Sequence, residues 1–117
     1  DQAIASCAQA MMGPDDVGPA LQAGGFTKTA GTDALTYAKD GVTVVIGPGK
    51  QCSVTDAAAG SAAMFDKLSA LGTLPEDKDD AGCRRFDLGS GAKVSVTGGD
   101  AKTCEADKDG TLRFVVN

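Results

Sequence analysis

Histidine and tryptophan are both missing from the 117 residues, and tyrosine occurs once. Without histidine, neither a Ser-His-Asp nor a Cys-His nucleophile can be assembled. A zinc site of mixed Cys and His ligands is excluded for the same reason. No G-x-S-x-G elbow and no S-x-x-K pair occurs, and Gly89-Ser90-Gly91 is a turn sequence. Gly47-Pro48-Gly49-Lys50 has a superficial likeness to a phosphate loop. It lacks the six-residue span, and Gln51 stands where Ser or Thr must follow the lysine. Carboxylates are plentiful enough for a two-carboxylate hydrolase. The near-absence of aromatics leaves little for a sugar ring to stack on. The expectation is a protein that is not an enzyme.

Long hydrophobic runs are also absent. The longest largely apolar stretch, Val42 to Ile46, suits a strand and not a membrane span. Positive charge is short: 11 Lys and Arg stand against 16 Asp and Glu, a net charge of −5. Such an excess of carboxylates repels nucleic-acid backbones and anionic membrane surfaces, so neither is an expected partner. The chain opens at Asp1 with helix-like sequence and no methionine, which predicts a processed mature chain.

Four cysteines are present: Cys7, Cys52, Cys83 and Cys104. Their wide spacing offers none of the close-set ligand pairs of a Cys₄ zinc site. Two disulfides are the expectation, and with them an oxidising location, periplasmic or secreted. Cross-links suit a core with four Phe and one Tyr, built mainly from Val, Leu, Ile, Met and Ala.

Helical spacing of Ile4, Cys7, Ala8 and Met11 predicts a helix over Gln2 to Met12, stopped by Gly13-Pro14. Asp15 or Asp16 can cap a second short helix ending at Ala23, with Pro19 in its first turn and Gly24-Gly25 as the stop. The period then changes from helical to alternating. Phe26 to Thr29 and Leu35 to Ala38 form strands. Asp40-Gly41 makes a hairpin turn into Val42, Val44 and Ile46. Residues 47–50 turn again, and Cys52 and Val54 alternate. Thr55-Asp56 caps a helix over Ala57 to Leu71 that lines Ala57, Ser61, Met64, Phe65, Leu68 and Leu71 on one side, with Gly72 closing it. The acidic segment Thr73 to Gly82 is expected as a loop. Phe86 and Leu88, Val94 and Val96, and Leu112, Phe114 and Val116 mark three more strands.

The expected class is therefore α+β in a single domain, residues 1–117, with antiparallel sheet covered by helices on one face. Each half reads helix and then meander, which suggests repeat halves at residues 14–55 and 56–117. Leu21, Ala23 and Gly25 match Leu68, Ala70 and Gly72, and Cys52 aligns with Cys104 if short gaps are allowed. Four cysteines allow three pairings. Placement on these elements favours Cys7–Cys52, tying the opening helix to the sheet, and Cys83–Cys104, tying C-terminal strands together. Cys83 falls out of phase with Phe86 and Leu88, so it belongs just before its strand.

Some residues invite a binding role. Glu105, Asp107 and Asp109, with Gly110 and Leu112, resemble the opening of an EF-hand calcium loop. Glu replaces the first Asp, Val116 stands where a bidentate Glu is required, and no helix pattern flanks the loop. A polar hairpin is the competing expectation. Glu76, Asp77, Asp79 and Asp80 form a weaker acidic set. Met11, Met12 and Met64 are soft Cu(I) ligand types, but Met11 and Met64 fall on core faces. Arg84-Arg85 is the one adjacent basic pair, expected to flank a strand with one side chain on each face.

The tandem layout, with one disulfide per half, is similar in outline to secreted β-lactamase-inhibitor-type proteins. No family motif accompanies that likeness, and the aromatic-rich docking surface of such inhibitors is missing here. The expected function is an exported protein-interaction or assembly module. A periplasmic carrier of a small ligand or calcium is the alternative.

Overall fold

The computed structural model describes residues 2–12, 18–29, 35–47, 51–70, 72–89, 91–99 and 103–116. Helix α1 spans Gln2–Met12 and buries Ala3, Ile4, Cys7, Ala8 and Met11 along one face. Helix α2, Gly18–Ala23, buries Leu21. It ends at Gly24 and at Gly25, which takes φ +96°, a left-handed conformation that glycine adopts cheaply. Gly13-Pro14, Asp15, Asp16, Pro48 to Lys50, Leu71 and Ser90 lie outside the described residues.

Strands β1 (Thr27–Thr29), β2 (Leu35–Lys39), β3 (Val42–Gly47) and β4 (Gln51–Asp56) form an antiparallel meander. Asp40 and Gly41 both take positive φ, 51° and 83°, as the tight β2–β3 turn requires. Helix α3 follows at Ser61–Ser69. Then come β5 (Glu76–Lys78), β6 (Arg84–Gly89), β7 (Ala92–Thr97) and β8 (Gly110–Val116), a second meander. The meanders join where β4 pairs with β8, giving one eight-stranded sheet in the order β1-β2-β3-β4-β8-β7-β6-β5.

Two expectations about the second half need correction. Helix α3 does not begin at Ala57. Strand β4 runs through Asp56, whose Oδ1 accepts a hydrogen bond from the Ala58 N–H at 3.0 Å, so this carboxylate caps a turn and not a helix. Gly60 occupies the N-cap, with no side-chain cap. The segment Thr73 to Gly82 is not all loop either, because Glu76–Lys78 pairs with β6 as an edge strand.

Alternation puts Val44, Cys52, Val54, Phe86, Val94, Val96, Leu112 and Phe114 on one face, where they form a single core with α1 and α3. One cross-strand row shows the pattern: Leu35, Ile46, Cys52, Phe114, Val94 and Phe86 stand side by side across six strands. Phe26, Tyr37, Phe86 and Phe114 are buried, and Phe65 stacks on Phe86 with ring centroids 5.5 Å apart. Met11 and Met64 are packed into this core.

Both favoured disulfides form. Cys7–Cys52 joins α1 to β4, and Cys83–Cys104 joins the residue before β6 to the segment before β8. The two bridges are not equivalent. Cys52 lies within a strand and belongs to the core cluster, whereas Cys104 lies in a loop and Cys83 is buried outside that cluster. Disulfides persist in oxidising surroundings, as in extracellular and secreted proteins. Among the described residues, no helix is long and apolar enough to cross a membrane.

Candidate functional site

Among the described residues the helices pack on one face of the sheet only. On the other face Ser95, Thr97 and Thr111, on β7 and β8, are buried, while Thr36, Thr43, Val45 and Ser53 are half-buried. The register sets a second row there, across all eight strands: Thr29, Thr36, Val45, Ser53, Arg113, Ser95, Arg85 and Asp77. Val45 and Val115 are apolar yet stand outside the core cluster, because they point to this side. From β1 to β4 the face carries no charge: Thr27, Thr29, Thr36, Ala38, Thr43, Val45, Gln51, Ser53 and Thr55 fill its positions. Thr55 and Thr111 share a hydrogen bond of 2.9 Å between β4 and β8.

Charge enters only on the β8-to-β5 side. Arg113 donates from Nε to Thr97 Oγ1 at 3.3 Å and from Nη2 to the Gly99 carbonyl at 3.0 Å. Arg85 instead makes a two-pronged pair with Asp77, at 2.9 and 2.8 Å. Lys93 lies 3.8 Å from the same carboxylate.

Arg84 and Arg85 do project to opposite faces of β6. On the helix side Arg84 grips Glu76 through Nε and Nη2, both at 2.8 Å, while lying 4.1 Å over the Phe65 ring. The pair thus clamps the charged strand β5 to the sheet. The guanidinium groups hold the Glu76 and Asp77 carboxyls below their ordinary values. Hydrogen bonding from Ala58, then Lys67, lowers Asp56 likewise against its partial burial. A carboxylate held low in the folded state contributes stability above its ordinary value, and that contribution is lost as pH falls through the folded value. The melting temperature should therefore decline as pH drops below the ordinary 3.8 to 4.5. A Glu76→Gln, Asp77→Asn double variant should show a shallower decline. An identical acid profile for the two proteins would refute the clamp.

On the helix side lies a groove of about 860 Å³ between α3, the ends of β5 and β6, and residues 103–107. Phe65 and Val96 contribute apolar surface, Lys78 and Arg84 positive charge, and Asp66, Glu105 and Asp107 negative charge. Ser61 pins one wall: its Oγ donates to the Thr97 carbonyl and accepts from the Ala106 N–H, each at 3.1 Å.

Glu105, Asp107 and Asp109 occupy the segment entering β8, and Asp109 takes φ 57°. No three carboxylate or cysteine side chains among the described residues are grouped as a metal ion would need. Adding millimolar calcium is expected to leave the melting temperature unchanged. A rise reversed by chelation would contradict this. Met11 and Met64 are core residues, and the side chain of Met12 lies outside the described residues.

Alternation in the sequence marks the core-facing positions and does not announce the off-core face. Its one signal is the uncharged off-core positions of residues 42–55 in a chain 23 % charged. No protein-family model, curated protein or solved structure matches the chain.

Proposed function

We propose that this chain is an exported protein-interaction or assembly module, working in the periplasm or outside the cell without catalytic chemistry of its own. One observation carries the reading: among the described residues an eight-stranded sheet is packed by helices on one side only, and its other side is polar, uncharged from β1 to β4 and charged from β8 to β5. Eight strands about 4.8 Å apart give a width of about 34 Å, in line with the molecule's 32 Å extent. With six-residue central strands the sheet side measures on the order of 600 Å², of which the part around Ser95, Thr97 and Thr111 is already buried. Threonine, serine and valine lose little side-chain entropy when covered. Two disulfides help to keep the platform rigid before a partner arrives.

Capture from the native source tests the reading. Immobilised wild type and an Ala63→Glu variant, changed on the exposed side of α3, should retain the same partner protein. Val45→Glu should release it, because an unpaired carboxylate would be buried in the contact. Capture unaffected by Val45→Glu would reject the docking face. The groove favours a second reading, a carrier of a small ligand, since its volume lies in the range of ligand sites. That reading requires a bound small molecule in native mass spectra of protein taken from its source, and bare protein there would dismiss it.

A further inference from the structure

We propose that the off-core face selects a protein partner that presents an Asp or Glu side chain to Arg113 from within an otherwise uncharged contact surface. This rests on the docking reading and states the chemistry of its partner.

Arg113 lies on β8, one of the two central strands. Its cross-strand neighbours are Ser53 and Ser95, and its half-buried side chain reaches over Thr97, which is buried with Ser95 and Thr111 on this side of the sheet. Both of its acceptors, Thr97 Oγ1 and the Gly99 carbonyl, are neutral. No carboxylate among the described residues pairs with it. Arg85 supplies the internal comparison. It stands in the same cross-strand row, but Asp77 engages it from two sides and meets its charge. One row thus holds one neutralised arginine and one that is not.

A guanidinium has five donors, and the two hydrogen bonds here leave three. A neutral partner laid over the face would strip water from this cation and return nothing for its charge. A carboxylate would take up the remaining donors in the two-pronged geometry that arginine favours. A polyanion fits less well, because the positions from β1 to β4 carry no charge and the chain as a whole is at −5. The face holds no aromatic residue, which leaves Arg113 as its one free anchor of the types that dominate binding energy.

A displayed library of random peptides, selected on the immobilised wild-type protein, supplies the probe. Peptides whose binding is abolished by Val45→Glu should carry an Asp or Glu. Changing that residue to Asn or Gln should weaken binding to the wild type by about ten-fold or more. The same change should make no difference to binding by an Arg113→Met variant. Because the decisive substitution is in the peptide, the result stands even if Arg113→Met disturbs the Gly99 segment. Peptides that need Val45 but tolerate Asp→Asn would overturn the carboxylate inference and leave the docking reading intact. A selection with no binder sensitive to Val45→Glu would overturn both.

Discussion

Replacing Cys7 and Cys52 together by alanine should be the most damaging simple change to this protein, costing about 4 kcal/mol from loop closure alone. The bridge spans 45 residues, against 21 for Cys83–Cys104, for which the same argument gives about 3 kcal/mol. A second effect widens the gap. Cys7 and Cys52 sit inside the core cluster between α1 and β4, so their loss also leaves a packing defect. Typical domains hold about 5–15 kcal/mol in total, so this one bridge supports a large share. At about 4 °C per kcal/mol for a chain of this size, the melting temperature should fall by roughly 15 °C. Urea unfolding of the two double variants gives the comparison. A Cys83→Ala, Cys104→Ala protein less stable than its Cys7/Cys52 counterpart would contradict it.

The second large effect comes from glycine. Gly110 opens β8, and its N–H donates to the Ala59 carbonyl at 2.8 Å. A Cβ placed on Gly110 would lie 2.5 Å from the Gly60 carbonyl oxygen and 2.6 Å from its carbon. Those atoms are backbone at the start of α3 and cannot swing aside. Gly60 is itself hemmed in, because a Cβ there would meet the Ala106 oxygen at 2.5 Å. Gly110→Ala must therefore push α3 off the sheet or distort the 103–109 segment, at a cost of about 3 kcal/mol. Gly41→Ala is the control. Gly41 has φ +83°, but a methyl group at this position would meet no atom within 4 Å, so it carries only the conformational cost of about 1–2 kcal/mol. Equal losses in the two variants would mean that the close approach of α3 to β8 does not matter.

Much of this architecture is legible in the sequence because its physics is local. Alternation in residues 35–56 and 84–97 identifies strands with one buried face, and Asp40-Gly41 specifies its own turn. The helical spacing of Ile4, Cys7, Ala8 and Met11 gives α1 and its buried face. The cysteine pairing follows from placing each cysteine on an element. What is not legible depends on long-range partners. Strand β5 has no apolar residue, and it is held by backbone pairing with β6 and by the ion pairs of Glu76 and Asp77 with Arg84 and Arg85. The start of α3 at Ser61 depends on β8 and the 103–109 segment docking against Gly60, which no local pattern announces. The off-core face is hardest, because its residues are defined by what they do not contact. Val44 and Val45 are adjacent and alike in sequence, yet one is fully buried in the core and the other faces outward.

That pair of valines supplies the most direct test of the docking face. Methyl NMR spectra of the protein can be recorded with and without the captured partner. Shifts at Val45, Val115 and Thr43, with Val44 and Val54 unmoved, are the predicted result. Shifts confined to Ala62 and the other groove residues, with Val45 and Val115 silent, would contradict it.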